Sequence, residues 1–293
     1  MKKFLSTTII IILATCGSYA QDVKFGFRGG MNLSSMMAGG NNTPVSEDYQ
    51  SRLAAGWGLF TELQLNPAVS LRLCVEYSGM GGKKDGMQAM PTQRLITAMG
   101  NSIGMGITEQ QLTALGALMK FTPQFYYAGM DNTTKLDYVM IPLMAQFCRN
   151  IGQSPWRVYV NAGPFASFLL TGKQISKGNS KLYSDASGTI TVWEDLVNNS
   201  PAIVALVQSE FPDVEKSLND PVTFGTTNIT GEMKSVNFGV TGNVGIRYQC
   251  KSNYFFLEVG GNYGFFTVQD DDTSGSNRIG AASVMAGYAF SLF

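Results

Sequence analysis

A run of nine residues in strict period-two alternation, VSLRLCVEY from Val69 to Tyr77, constrains the fold of this chain more than any other feature. Its apolar residues fall on one face, and the opposite face carries Arg72 and Glu76. Successive side chains of a β-strand point to opposite sides, so such a strand has one apolar and one polar face. An alternating run of this length that ends in an aromatic residue is typical of a tilted membrane strand, which needs about 9–11 residues.

Seven further segments either alternate in the same way or are apolar on both faces. No segment beyond the N-terminal region approaches the roughly 18 continuous apolar residues expected of a transmembrane helix. The pattern therefore predicts strands and no spanning helix. The eight predicted strands are Val23–Leu33, Leu53–Leu65, Val69–Tyr77, Leu136–Phe147, Trp156–Leu170, Val236–Gln249, Phe255–Phe265 and Arg278–Phe293.

Short and long connections alternate along the chain. The short ones are 66–68, 150–155 and 251–254, and the longest are about 80–134 and 171–235. An up-and-down barrel in the outer membrane has tight periplasmic turns and longer external loops. The chain is therefore predicted to be all-β: an up-and-down antiparallel transmembrane β-barrel of about eight strands, with partly helical long external loops.

The short turns also predict which residues face each other across neighbouring strands. The turn after the second strand sets Glu62 opposite Arg72. The turn after the sixth strand, taken as 251–254, sets Arg247 opposite Glu258. Opposite charges at facing positions stabilise a strand pair, and both pairs fall on the more polar face. We therefore expect both pairs in the lumen of the barrel.

Other inward positions indicate how the lumen is filled. Arg28 and Glu76 face inward by their phase along the strands. The interior of an eight-stranded barrel is just wide enough to be filled by side chains, which excludes a general diffusion porin. A narrow channel would require ten or more strands, for which 222–226 could supply part of an extra hairpin. The inward aromatic residues are Phe60, Tyr159, Phe165 and Phe256.

The fourth strand, Leu136–Phe147, is apolar on both faces and contains a proline. A strand that faces lipid on one side and a filled lumen on the other can be apolar on both. Its phase places Tyr138, Met140, Pro142 and Met144 inward. Proline removes one ladder hydrogen bond, so we expect a bulge or a local kink at Pro142.

Four segments, in order along the chain, resemble the PorT-like outer-membrane β-barrel family of Bacteroidetes. They are FGFRGGMNLS (Phe25–Ser34), YVMIPLMAQF (Tyr138–Phe147), VYVNAGPFASFLL (Val158–Leu170) and GYAF (Gly287–Phe290). Met140 stands where that family usually has an acidic residue, and the two longest loops exceed those of a minimal member. The resemblance implies an outer-membrane location and a role in the secretion or assembly of surface proteins.

The N-terminus has the features of an export signal. Lys2–Lys3 precede an apolar run and a small-x-small site that ends at Ala20. We therefore expect residues 1–20 to be a signal peptide cleaved near Ala20, and 21–293 to form the barrel domain in the outer membrane. An alternative is a lipoprotein signal with lipidation of Cys16.

Composition argues against most chemistry. The chain has no histidine, and its 21 Lys and Arg residues balance 21 Asp and Glu residues. Without histidine, Ser-His-Asp and Cys-His catalysis and H-E-x-x-H metal sites are excluded. The cysteines form no C-x-x-C pair, and no basic surplus favours nucleic acid. We expect no catalytic residues, no cofactor, no metal and no nucleic-acid partner, and outer-membrane lipid as the surroundings.

The two longest loops carry helical signals. Residues 108–111 form a capping box, and Ser200–Pro201 form a helix start with proline in the first turn. Each signal precedes apolar residues on one helical face, which need cover. Either the loops pack on each other or these residues dock an external partner. The candidate partner-facing residues are Leu112, Leu115, Leu118, Ile203 and Val207.

Three functional hypotheses follow from the sequence. The first is a non-enzymatic integral outer-membrane protein that presents structured external loops to envelope or secretion proteins. The second is a surface recognition or adhesion protein that binds host or matrix ligands through those loops. The third is a narrow channel, which depends on a strand count of ten or more.

Overall fold

The computed structural model describes residues 23–39, 44–92, 123–270 and 275–291, and its main feature is a closed ring of eight antiparallel strands. The last strand of the ring pairs with the first, so the all-β barrel predicted from the sequence is confirmed. Numbered with the chain's other strands, the ring consists of β1 (Val23–Ala38), β2 (Gln50–Gln64), β3 (Val69–Lys84), β6 (Asp131–Asn150), β7 (Trp156–Lys177), β11 (Val236–Cys250), β12 (Asn253–Gly264) and β13 (Asn277–Ser291).

The remaining elements belong to the long connections. Short turns at 65–68, 151–155 and 251–252 mark the turn end of the barrel, and the long connections mark the opposite, loop end. At the loop end lie β4 (Met87–Pro91), β5 (Phe125–Gly129), β8 (Asn179–Ser180), α1 (Val192–Asn199), α2 (Pro201–Glu210), α3 (Val214–Asn219), β9 (Val222–Thr223), β10 (Thr226–Asn228) and a 3-10 turn at Thr230–Glu232.

The strand count excludes the extra hairpin that a ten-stranded channel would need. β9 pairs with β8 in a separate two-stranded sheet, and β10 only extends the edge of β7 above β11. The hypothesis that 222–226 adds strands to the barrel is therefore wrong.

Two strands extend well beyond a membrane. β6 has 20 residues and β7 has 22, whereas a membrane strand needs about 9–11. Their excess lies at the loop end, where they pair with each other from Asp131 and Lys177 onward. The loops predicted as 80–134 and 171–235 are therefore shorter, because strand pairing continues into both of them.

Several predictions fall on residues that the structure does not describe. These are the signal peptide of residues 1–20 with its cleavage near Ala20, and the helix after 108–111 with Leu112, Leu115 and Leu118. They stay predictions. In the described part of the chain, no helix is both long and apolar enough to cross a membrane.

The outer surface of the barrel is a belt of exposed apolar side chains. One register row across four strands consists of Val160, Val244, Val259 and Val284, each about half exposed. Their sequence neighbours point into the lumen. Exposed apolar residues over a whole strand surface are unusual in water and are the expected lipid-facing surface of a membrane barrel.

Aromatic pairs flank this belt at both ends. At the turn end, the ring centroids of Trp156 and Tyr248 lie 4.9 Å apart. Nearer the loop end, Phe238 and Phe266 meet edge to face with centroids 6.2 Å apart. Aromatic girdles of this kind sit at the two membrane–water interfaces of barrels, so they bound the lipid-facing belt.

The proline in β6 does not produce the expected bulge. The register of β6 with β3 is the same before and after Pro142, since Leu73 faces Leu143 and Glu76 faces Met140. Proline lacks an N–H, which removes a hydrogen bond but requires no additional residue in the strand. The register shift lies instead between Asp137 and Tyr138, against β7.

The turn between β2 and β3 gives the predicted register. The Asn66 side chain accepts hydrogen bonds from the N–H groups of Ala68 and Val69 at 2.9 and 2.8 Å, which closes the turn. Glu62 then lies opposite Arg72, as the sequence predicted.

The turn between β11 and β12 is tighter than predicted. Cys250 pairs with Asn253 across a two-residue connection in which Lys251 has a φ of 55°. Arg247 therefore faces Phe256 across the strands, and the predicted Arg247–Glu258 pair is wrong. The shift is two residues, so the inward phase of both strands is kept.

The lipid-facing belt predicts the effect of a charge at its centre. Val244→Lys should destabilise the barrel in lipid by about 2–4 kcal/mol, because a cation near the bilayer midplane is poorly solvated. Asn198→Lys, at an exposed position on α1, should have little effect. Urea unfolding of the two refolded variants in lipid vesicles measures the difference, and equal losses would contradict the assignment of this face to lipid.

Candidate functional site: the barrel lumen and the external cap

The centre of the lumen holds a continuous chain of alternating charges. Arg28 donates hydrogen bonds to Glu76 and to Glu258. Arg72 lies 3.1 Å from Glu258 and 3.2 Å from Glu62. Arg247 lies 3.2 Å from the other oxygen of Glu62. These side chains form the lumen charge chain, in the order Glu76, Arg28, Glu258, Arg72, Glu62 and Arg247.

Aromatic side chains enclose the middle of the lumen charge chain. Arg72 is 0% exposed, and its guanidinium lies 4.6 Å from the Phe60 ring centroid and 5.2 Å from that of Phe256. The Tyr159 hydroxyl donates to Glu258 at 2.7 Å, and the Tyr254 hydroxyl donates to Glu62. Buried charges are tolerated only when they are paired and hydrogen-bonded, and three positive charges here meet three negative ones.

Glycines on neighbouring strands make room for the inward aromatic rings. A Cβ atom at Gly26 would lie 2.3 Å from the Phe60 ring, and one at Gly287 would lie 2.4 Å from the Phe256 ring. The rings lie directly over the strand backbone at these two positions and fill the lumen. All four aromatic residues predicted to face inward are buried: Phe60, Tyr159, Phe165 and Phe256.

All the charged residues predicted for the lumen are there, but their partners differ in part from the prediction. The Glu62–Arg72 contact lies between neighbouring strands and follows from the local turn. Arg247 instead reaches Glu62, and Glu258 reaches Arg28 and Arg72, across strands that are not paired with each other. Cross-lumen contacts depend on how the barrel closes, and no local sequence signal specifies them.

The long connections form a small folded unit at the loop end, the external cap, which consists of β4, β5, β8, β9 and α1–α3. Its interior is apolar and separate from the lumen. The packed core is the reason that these loops have defined helices and hairpins. Its buried residues are Tyr126, Ala128, Met130, Leu182, Val192, Trp193, Leu196, Val207, Val214 and Leu218.

Local hydrogen bonds fix the chain segment that leads into α1. Thr191 and Glu194 form a reciprocal capping box, with the Glu194 carboxylate accepting from the Thr191 N–H at 2.9 Å and the Thr191 hydroxyl accepting from the Glu194 N–H at 3.3 Å. The Thr191 N–H lowers the pKa of Glu194. The N–H of Ile190, at 2.7 Å, in the same way lowers the pKa of Asp185.

The external cap changes the interpretation of two predicted partner-facing residues. Val207 is 4% exposed inside the cap core, and Ile203 packs against that core. This face of α2 covers α1 and α3, so Val207 is buried and Ile203 is partly buried. For these two residues, the structure matches the alternative in which the loops pack on each other. Large apolar residues that remain exposed on the cap are Met87, Ile190, Val197 and Leu206.

The described residues contain no group of three or more potential metal ligands. Cys74, Cys148 and Cys250 are free thiols. Each lumen carboxylate is held by at least one arginine, which suits a structural role.

The sequence matches the family model described as outer membrane protein beta-barrel domain over residues 19–270. The chain belongs to this family. The match covers most of the chain and includes every strand of the ring except β13. The molecule is therefore an outer-membrane β-barrel protein, and the lipid-facing belt is its membrane-spanning surface.

Solved structures of outer-membrane barrels share low sequence identity and low TM-scores with this chain. Neisserial surface protein A is 12% identical over 91% of this chain and 96% of its own, with a TM-score of 0.33. The attachment invasion locus protein of Yersinia pestis is 10% identical over 92% and 100%, with a TM-score of 0.32. A major outer membrane protein from Thermus thermophilus is 12% identical over 92% and 99%, with a TM-score of 0.37. A comparison with curated proteins found no significant match.

The order of the lumen charge chain predicts strong coupling between its last two members. Glu62→Gln should cost about 3–5 kcal/mol, because it leaves Arg247 buried without a carboxylate among the described residues. Adding Arg247→Met removes that orphaned charge and leaves a neutral chain of four, so the double variant should lose less than the sum of the single losses. Urea unfolding in lipid vesicles should give a coupling energy of about 1 kcal/mol or more. Additive losses would show that the two side chains do not interact.

Proposed function

We propose that this protein is a non-enzymatic outer-membrane scaffold that presents its external cap to other envelope proteins during the secretion or assembly of surface proteins. The observation that carries the proposal is a packed cap core above a filled lumen. A barrel built only to span the membrane needs no folded unit on its loops. The resemblance of four strand segments to PorT-like proteins supports the choice of surface-protein secretion or assembly.

The filled lumen argues against solute transport as the main role. Arg72, Glu258 and Glu62 are all at most 2% exposed at its centre, and Phe60 and Phe256 close the space around them. Opening a path would break several buried ion pairs at once, and each would leave a charge without compensation. The barrel thus serves as an anchor, and the activity is assigned to the external cap.

We also infer that the protein has no enzymatic role, and the chemistry that its side chains offer supports this inference. The sequence has no histidine, and Glu62, Glu76 and Glu258 are held by arginines. Each of these carboxylates is engaged by a buried guanidinium and is not free to accept a proton from a substrate as a general base. We further propose that residues 1–20 are removed on export, and that the cap faces the exterior.

The surface of the external cap favours a protein partner. Leu206 is 41% exposed and Val197 is 42% exposed, on adjacent helices of the cap. A protein partner that contacts the cap here would remove both side chains from water, as in the core of a protein interface. A partner within the envelope matches the resemblance, and a host or matrix ligand remains the alternative outcome of the experiment.

Photo-cross-linking tests this proposal in whole cells. A photoreactive phenylalanine analogue at Leu206 or Val197 should cross-link to an envelope protein, whereas the same analogue at Gln153, in an exposed turn at the other end, should not cross-link to that protein. Leu206→Asp should weaken the cross-link from Val197, because it charges the contact surface. Products identical at all three positions, or no protein product from the cap, would contradict the proposal.

Planar-bilayer recording tests the anchor role of the barrel separately. The refolded wild-type protein should show no uniform, voltage-stable conductance steps, because the lumen charge chain fills its centre. The same preparation must first show heat-modifiable migration in detergent gels, which establishes that the barrel is folded. Reproducible single-channel steps of one size would support the channel hypothesis instead.

A further inference from the structure

At the external mouth of the barrel, a cavity of about 280 Å³ lies between the strand ends and the external cap. We call it the mouth cavity. Its lining comes from the loop ends of β1, β3, β6 and β7 and from all the long connections. It lies nearer the loop end than the lumen charge chain does, and it is separate from the exposed cap surface around Leu206 and Val197.

We propose that the mouth cavity binds one neutral sugar ring, a hexose or an N-acetylhexosamine, either free or at the end of a glycan chain. The size is suitable, since the volume equals that of roughly nine water molecules. It lies just below the range of about 300–1,000 Å³ that accommodates drug-sized ligands. One ring fits, and a longer chain would have to extend outward.

The polar lining matches the hydrogen-bonding pattern of a sugar. Most of it consists of amide and hydroxyl side chains, which offer donors and acceptors together, as sugar hydroxyl groups do. These groups project inward from the ends of β6 and β7 and from β4, so they converge on one space. These residues are Gln88, Asn132, Thr134, Gln174 and Ser176. The Gln88 amide already donates to the carbonyls of Lys84 and Met130 at 2.6 and 2.7 Å, so it offers a ligand only its oxygen.

Asn132 is the most informative member of this lining. It is only 7% exposed, yet its contacts with Gln88 and Ser176 are both 3.5 Å long. Well-formed N–H···O bonds are about 2.7–3.2 Å, so neither contact uses the full capacity of the amide. A buried amide with such weak partners has donor and acceptor capacity for a ligand in the cavity.

The charges of the lining favour a neutral ligand. Lys84 donates to the Pro44 carbonyl at 2.7 Å, and its ammonium lies 5.8 Å from the Tyr49 ring. Its charge is thus engaged with the first external connection, and Glu232 brings one opposite charge to the lining. A charged ligand would lose its hydration without gaining a net counter-charge.

The apolar part of the lining suits the C–H face of a sugar or an acetamido methyl group. It contains several methionines, among them Met36 and Met130, together with Phe224. Methionine is unbranched and polarizable, so it adapts to an irregular ligand face. A cavity that is lined by both amides and methionines can contact both the hydroxyls and the carbon faces of a ring.

Binding to the refolded full-length protein in detergent micelles tests the proposal. Saturation-transfer NMR and calorimetry would use glucose, galactose and N-acetylglucosamine as neutral probes, with glucosamine and glucuronate as charged probes. At least one neutral sugar should bind saturably in the millimolar range or below, and its charged analogues at least ten-fold more weakly. The β-1,4-linked tetramer of N-acetylglucosamine distinguishes the sources, because tighter binding than that of the free sugar would indicate a glycan end.

Variants locate the site. Asn132→Leu and Gln174→Leu should each weaken binding at least ten-fold, and Ala89→Trp should abolish it by filling the cavity from β4. Gln50→Leu, at an exposed position on β2, is the matched control and should bind as the wild type does. Heat-modifiable migration identifies the variants that fold. If Asn132→Leu fails to fold, Ala89→Trp still tests the site, because it changes no strand of the barrel.

Three results would overturn the proposal: no saturable binding of any neutral sugar, unchanged binding in the folded cavity variants, or equal binding of charged and neutral probes. These results are independent of cross-linking at Leu206 and Val197. A failure of sugar binding is therefore distinguishable from a failure of the proposed scaffold function.

Discussion

A strand edge in lipid has no water to satisfy its N–H and C=O groups, so every strand of the ring must have a partner on both sides. The pairing of β13 with β1 and the continuous ladder from β3 through β6 to β7 meet that requirement. Closure with eight strands then sets the width of the lumen. All other features of the molecule, from the filled interior to the position of the cap, depend on this ring.

The lumen is filled with charged and aromatic side chains, although apolar side chains could also fill an interior of this width. Alternating charges make the interior sensitive to register, because moving one strand by two residues would separate Arg247 from Glu62 or Glu258 from Arg72. An apolar filling would tolerate such a shift more easily. The contacts of the lumen charge chain therefore depend on the register of the strands, and its buried side chains occupy the centre of the lumen.

Filling the lumen separates the protein into regions with different roles. The belt with Val244 faces lipid, the lumen charge chain holds the strands in register, and the external cap has a core of its own. The long strands β6 and β7 connect these regions, since they continue past the membrane and bring Asn132 and Gln174 to the mouth cavity. These two lining residues therefore lie outside the membrane, on strands that are continuous with the ring.

The sequence by itself determined the strands and their phase, because alternation at period two is a local property. It therefore placed Tyr138 and Met144 inward, and the Asn66 turn paired Glu62 with Arg72. Only the tertiary structure decided that Arg247 meets Glu62, that Val207 is buried in a cap core, and that amides from β4, β6 and β7 line the mouth cavity. These contacts join residues far apart in the chain, and their geometry exists only after the ring has closed and the loops have packed.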